Sequence, residues 1–330
     1  MNTILPLNFN LKRYFSDCTQ IPIRELESII NIASTSYRKY PIPKKSGGYR
    51  QVFQPAIQTK MLQRIVINSI FEKFPLSDSV YSYRKGLRSP LYAHATIHSP
   101  FKYSIHLDFK NFFPSITAEM FFASLEDEYD FKFSPIDEET LRKVCFFYTK
   151  GLYSLVIGSP SSPIISNIFM TSADNHFSGY GREHDGRYSR YADDLWFSTN
   201  NYQACVGFKE FVQKYIGSVP YYRSLKLNNR KTSVYTPGSP KSITGLAVIG
   251  KNSVKVPRKI KRITRSLIFQ LSQLHKDGVA ESEDEKLQKK RLRGYISFIK
   301  DNEPSYLNVL ILKYHNDFHL ALANNRLRKT

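Results

Sequence analysis

Tyr188-Ser189-Arg190-Tyr191-Ala192-Asp193-Asp194-Leu195-Trp196-Phe197-Ser198 is the stretch on which the reading of the chain turns. Tyr188, Arg190 and Tyr191 before the Ala-Asp-Asp centre, and Leu195, Trp196 and Phe197 after it, suit strands. The pattern predicts a hairpin with two carboxylates at its tip. Adjacent anions repel unless a cation neutralises them, and hard oxygen donors suit Mg²⁺. A solvated Asp-Asp turn is the competing reading, because Asp favours turns for its own hydrogen-bonding reasons.

A third carboxylate lies upstream. Residues 103–108 alternate, with Tyr103, Ile105 and Leu107 on one side and Ser104, His106 and Asp108 on the other. The reading is a strand that ends by placing Asp108 at the sheet's edge toward solvent. Phe109, Phe112, Phe113, Pro114 and Ile116 follow it, with Lys110 and Asn111 at the turn. These rings suit a core cluster, and Phe113 also suits a ring placed under a sugar to exclude a 2′-hydroxyl. Asp108 and, 85 residues later, Asp193 with Asp194 would bring three carboxylates to neighbouring strands. Two Mg²⁺ ions about 4 Å apart need such a donor set for nucleotidyl transfer.

The remaining segments can be placed around that centre. Apolar spacing predicts a helix from near Pro22 and another over residues 59–74. Residues 43–55 form a hairpin whose Gly47-Gly48 tip is bracketed by Lys44, Lys45 and Arg50, a solvated surface or a cover for a triphosphate. Residues 81–86 make a basic aromatic loop. His94 and His98 can share a helix face without a third ligand to make a metal site. A helical pattern fills 120–149, and 151–170 reads as strand, Gly-Ser-Pro turn and helix. Small residues there allow close approach by a nucleotide or template, or make a plain connection. Residues 202–216 form an amphipathic helix under the sheet, 225–234 a basic turn between short strands, and 243–248 a strand with a Gly break. A basic helix begins near Val256, and the rest is helical around a charged connector at 277–290.

With 330 residues, 41% of them apolar and 14% aromatic, the chain is globular rather than disordered. Its net charge of +20 is unevenly spread: no Asp or Glu occurs over 211–276, where 14 Lys and Arg stand, and residues 251–330 supply +10. Such clustering points to a nucleic-acid partner. Cys18, Cys145 and Cys205 are odd in number and far apart, which argues against a disulfide framework or zinc spacing and for a reducing cytoplasm. No apolar run has signal-peptide or membrane-spanning length, so no membrane partner is expected.

Several of these segments match one family in order. Tyr191-Ala192-Asp193-Asp194-Leu195 resembles motif C of reverse transcriptases, and residues 107–116 resemble motif A. Residues 158–167, Gly-Ser-Pro-Ser-Ser-Pro-Ile-Ile-Ser-Asn, resemble motif B, and residues 227–232 motif D. The resemblance spans roughly residues 40–250. It implies an α+β right-hand polymerase: residues 1–100 as N-terminal region and fingers, 101–250 as a palm with part of the fingers, and 251–330 as a basic helical thumb. The palm's antiparallel sheet would carry the Asp residues. It further implies that Asp108, Asp193 and Asp194 are catalytic and hold two Mg²⁺ ions, with Phe109 beside both metal and dNTP. Lys44 and Arg50 would contact the triphosphate, Gly158 would lie at the dNTP, Phe113 would be the sugar gate, and Lys231 would protonate or contact pyrophosphate.

Within that family the chain is most similar to bacterial retron reverse transcriptases, related to group II intron-like and phage-defence enzymes. His94-Ala95-Thr96-Ile97-His98 resembles the retron Asn-Ala-x-x-His element at Ala95 and His98, and Ile243-Thr244-Gly245 resembles Val-Thr-Gly at Thr244 and Gly245. The implied RNA-binding residues are these four with Arg258, Lys259 and Arg262. The implied activity is copying part of a structured non-coding RNA, which is template and primer, into DNA from dNTPs, through an RNA–DNA hybrid. Phage defence with an effector protein is the implied role. One departure is that Leu155-Val156-Ile157-Gly158 stands where many members read Leu-Pro-Gln-Gly, so the Gln amide is lost. Untemplated or atypical DNA synthesis, or a non-catalytic RNA-binding scaffold, are the alternative readings.

Overall fold

Helices dominate the chain because its apolar residues recur mostly at helical spacing, and some of its helix starts carry side-chain caps. Asn10, Thr117, Ser134, Asn201 and Ser282 each accept a hydrogen bond from a backbone N–H of the first turn. The computed structural model describes residues 9–44, 47–276 and 282–323. Lys45 and residues 277–281 of the charged connector therefore lie outside the described residues.

In chain order come α1 (Leu11–Thr19), α2 (Ile23–Ala33), β1 (Tyr37–Pro43), β2 (Tyr49–Pro55), α3 (Ile57–Ser69) and α4 (Pro90–Ile97). They are followed by β3 (Tyr103–Asp108), α5 (Ala118–Tyr129), α6 (Pro135–Cys145), β4 (Phe147–Thr149), β5 (Leu152–Ser154), α7 (Ser161–Phe169) and α8 (Thr171–Glu183). Next are β6 (Arg187–Tyr191), β7 (Asp194–Thr199), α9 (Tyr202–Ser218), β8 (Ser233–Tyr235), β9 (Lys241–Ile243), β10 (Leu246–Val248) and β11 (Val254–Lys255). Four helices close the chain: α10 (Arg258–Lys276), α11 (Glu283–Asn302), α12 (Pro304–Lys313) and α13 (His315–Leu322).

Two compact units result, neither contiguous in sequence: Met1–Lys85 with Tyr103–Val234, and Gly86–Lys102 with Tyr235–Thr330. The first is built on a sheet of order β6-β7-β3-β8. Strand β7 pairs antiparallel with both β6 and β3. Rings of Phe177, Tyr188, Phe197 and Phe208 fill the space between this sheet and helices α8 and α9. The second unit packs α4 against the small sheet β11-β10-β9 and joins α10 to α11 and α13.

The mixed α+β composition, the antiparallel sheet and both main hairpins are as expected. Three segments differ. Residues 120–149 hold two helices and a strand, because Asp130 turns left-handed (φ +48°) and ends α5, and Ser134 caps a new start. Residues 243–248 are a hairpin rather than one strand, with Thr244 and Gly245 at positive φ between β9 and β10. Residues 151–154 are half of another hairpin, β4 with β5.

Candidate active site

Strand register assembles the site. In the β3–β7 ladder Asp108 lies opposite Asp194, so the two strand-end carboxylates are brought side by side. Asp193 stands between β6 and β7, and its carbonyl accepts a hydrogen bond from Phe109 N at 3.1 Å. The structure therefore gathers Asp108, Asp193 and Asp194 at one end of one sheet.

Asp108 does not face solvent, as its strand alternation suggested; it is 2% exposed. Neighbouring chain covers it and supplies its partners: Lys231 Nζ donates to Oδ2 at 2.6 Å and Asn228 Nδ2 to Oδ1 at 3.3 Å. Asn228 N also donates to the Asp108 carbonyl at 2.7 Å. His106 Nε2 lies 2.6 Å from Asp194 Oδ1, and its ring stacks on Trp196 at 4.7 Å. Sequence reading missed His106 and Asn228, since hydrogen bonds between distant segments leave no periodic signal.

Charge at this end is not balanced. Burial first, then the Asp194 and Asp108 charges, push the Asp193 carboxyl up to about 6 from 3.8. Burial opposes the charge of Lys231, but its hydrogen bond to Asp108 and that anion's field outweigh it, so its pKa is raised. Among the described residues, no three His, Cys, Asp or Glu side chains form a ready metal cage. The ammonium of Lys231 instead lies against Asp108 as a stand-in cation. Three carboxylates of hard oxygen donors, an ammonium held against one of them and a carboxyl whose pKa is raised by burial and by its anionic neighbours fit a divalent cation chemically. Asp108, Asp193 and Asp194 would hold it once Lys231 releases Asp108.

Other expected residues fall around this centre. Arg50 and Lys44 are exposed, at and just beyond the antiparallel β1–β2 hairpin, whose turn closes by Lys44 N donating to Gly48 O. Tyr83, 51% exposed at φ +55°, feels both Asp193, which raises its pKa after burial and Tyr191, and Arg50, which lowers it. Phe113 is half-buried and packs 5.6 Å from Phe112. The Phe109 ring is 1% exposed in the core, so only its backbone reaches the site. Gly158 is approached by protein rather than open space: a Cβ there would meet Val52 Cγ1 at 2.7 Å and Phe53 O at 2.8 Å. Beside it Phe53 N donates to Ile157 O at 2.8 Å.

The expected RNA contacts lie in the second unit. Ala95 and His98 are fully buried, which removes their side chains from direct RNA contact and corrects that expectation. Burial also drives His98 well below its ordinary pKa. They belong to a packing joint, where Lys241 Nζ donates to His98 O and Thr244 Oγ1 to Leu91 O. Thr244 is half-buried and Gly245 exposed. On α10, Arg258, Lys259 and Arg262 are exposed, while Lys261 is held by Glu303 at 2.7 Å. No helix among the described residues is long and apolar enough to cross a membrane.

The family described as reverse transcriptase (RNA-dependent DNA polymerase) matches residues 42–279. The retron Ec83 reverse transcriptase of Escherichia coli is 32% identical over 289 residues, 85% of this chain and 88% of that one. The retron Ec86 reverse transcriptase of Escherichia coli is 30% identical over 300 residues, 90% of this chain and 86% of that one. The retron Mx65 reverse transcriptase of Myxococcus xanthus is 26% identical, over 81% of this chain and 62% of its own. Among solved structures, telomerase from Candida albicans in complex with a TWJ fragment of telomeric RNA has a TM-score of 0.47 at 11% identity, covering 94% of this chain and 64% of that one.

Proposed function

This chain belongs to the reverse transcriptase family, with retron enzymes among its relatives, and from that premise we propose that it copies part of a cognate structured non-coding RNA into DNA. Reverse transcriptases are nucleotidyltransferases that generally use divalent metal ions. Two-metal transfer with Mg²⁺ is the mechanism proposed here, and antiphage defence the proposed role.

The observation that carries the reading is the cross-strand pair Asp108 and Asp194 with Asp193 at the adjoining turn. Two bound Mg²⁺ ions would activate a primer hydroxyl and neutralise the departing pyrophosphate. The chain's own groups do the rest. Asp108, Asp193 and Asp194 supply the oxygen donors, and Lys44 and Arg50 hold the triphosphate as point charge and fork. Gly158 keeps the segment against β2 beside the nucleotide. Phe113 offers a ring against the sugar, so that Phe113→Val admits ribonucleotides. Lys231, which pairs with Asp108 here, would on release give a proton to pyrophosphate or pair with it. Arg258, Lys259 and Arg262 hold the RNA and the growing hybrid through backbone phosphates; an effector protein completes the proposed set of partners.

Purified protein with its RNA, dNTPs and Mg²⁺ should synthesise DNA, and chelation or Asp193→Asn should abolish synthesis. Robust synthesis by Asp193→Asn would sink the mechanism. DNA made equally well without the RNA would replace it with the untemplated alternative, to which the loss of the Gln amide at Ile157 lends some support.

A further inference from the structure

Beneath the acidic turn runs a buried polar chain that the mechanism above does not use. The Arg190 guanidinium is fully buried and forks onto Asp174, with Nε 2.9 Å from Oδ1 and Nη2 2.7 Å from Oδ2. Its Nη1 donates to Asn167 Oδ1 at 3.2 Å and to the Ala192 carbonyl at 3.0 Å. Asn167 Nδ2 donates to the Ser82 carbonyl at 3.0 Å, and Ser82 Oγ accepts from Ala192 N at 2.8 Å. Asp174, Asn167 and Ser82 are likewise fully buried.

The chain of bonds closes on a single residue. Both peptide groups of Ala192 are gripped, one by Ser82 and the other by Arg190. Ala192 has φ +56°, a left-handed conformation that a Cβ disfavours and that persists only where its surroundings over-determine it. The loop carrying Ser82 is itself stitched to the hairpin, Arg190 N donating to Ser79 O and Tyr81 N to Arg190 O. A buried ion pair is weak evidence for stability alone. Here its geometry bears on the residue just before the two carboxylates.

We propose that Ser82, Asn167, Arg190 and Asp174 form a positioning network that holds Ala192 left-handed and so aims Asp193 and Asp194 at a divalent cation. The inference rests on the reading above that these carboxylates bind such an ion. Outer-shell partners of metal ligands typically change affinity by about 10–100-fold when lost, and a misplacement of about 1 Å can lower rate about 100-fold.

The test is Mn²⁺ binding to the full chain without nucleotide, read from the free-ion signal in electron paramagnetic resonance. Ser82→Ala should weaken binding roughly 10–100-fold. Ser82→Cys, which leaves a weak sulfur acceptor, should fall between it and the wild-type protein. Both should melt close to wild type, and kcat should fall further than KM for dNTP rises. Asp193→Asn is the reference: wild-type Mn²⁺ affinity in that variant defeats the metal reading itself. Loss of affinity there, with wild-type affinity in Ser82→Ala, overturns the network alone. Unfolding of both Ser82 variants also overturns it, because the role would then be structural.

Discussion

Glu128 shows how one side chain in this fold couples stability to pH. It lies on α5, where Tyr222 Oη donates to Oε1 at 2.7 Å, Tyr221 Oη to the same oxygen at 3.0 Å, and Ser172 N to Oε2 at 3.3 Å. These bonds favour the charged form, yet burial outweighs them and pushes the carboxyl up to about 7 from 4.5. A folded pKa above the unfolded one means a stability contribution that is full below about 4.5 and lost as pH rises through about 7. Glu128→Gln keeps an acceptor for both tyrosines and cannot ionise. Between pH 5 and pH 8 the wild-type protein should lose about 2 kcal/mol relative to this variant, after allowance for partial solvent access. Urea midpoints measured across that range check it, and parallel curves would refute the shift. At the residue scale the sequence named the acidic centre by residue type and order alone. It could not reveal that Asp108 is buried on Lys231, or that Arg190, counted as a strand residue, is a buried cation serving Asp174. Such partners are 16 and 123 positions apart and obey no local period.

Among the elements, the contact of Gly158 with β2 has a measurable steric consequence. Gly158 has φ +104°, and an added Cβ would meet the Phe53 carbonyl at 2.8 Å, a backbone atom that cannot rotate aside. Gly151 has φ +82° but nothing within 4 Å. Gly151→Ala should therefore cost about 1 kcal/mol of backbone strain, and Gly158→Ala about 2–4 kcal/mol from strain plus overlap. Chemical unfolding of the two variants separates the terms; equal losses would mean that β2 yields freely. The small residues of the Gly-Ser-Pro segment suit close approach by a nucleotide or template, or a plain connection, and what lies against Gly158 is β2 itself. Elements with strong alternation or clear starts, β3, the β6–β7 hairpin, α2 and α9, were legible. Helix α8 was not, since Asp174 and Ser178 interrupt its apolar pattern and its buried face includes polar groups. The joint of α4 with the β9–β10 hairpin was visible only as two short motifs, whose common packing belongs to tertiary structure.

For the molecule as a whole, a charge of +20 must be answered by a partner or by solvent, and the two answers predict different salt behaviour. Composition located the basic excess without saying which cations were free to meet phosphate. The structure sorts them: Lys261 and Lys255 bind Glu303, and Lys276 binds Asp317. Among the described residues, no ion pair engages Arg258, Lys259 or Arg262, all exposed on the first turns of α10. Phosphate contacts release counterions, so each one removed flattens the plot of log affinity against log salt by about 0.7–0.9. Replacing Arg258, Lys259 and Arg262 together by Gln should therefore lower the slope for RNA by about 2 and weaken binding most at low salt. The same change at Lys261 should act differently. It leaves the buried Glu303 short of a partner, so its effect should appear as lost stability with the salt slope kept. Filter binding across a salt series, beside unfolding curves, distinguishes these outcomes. An unaltered slope in the triple variant would return this face of α10 to ordinary solvated surface and send the search for the RNA path to the other exposed cations of the acid-free stretch.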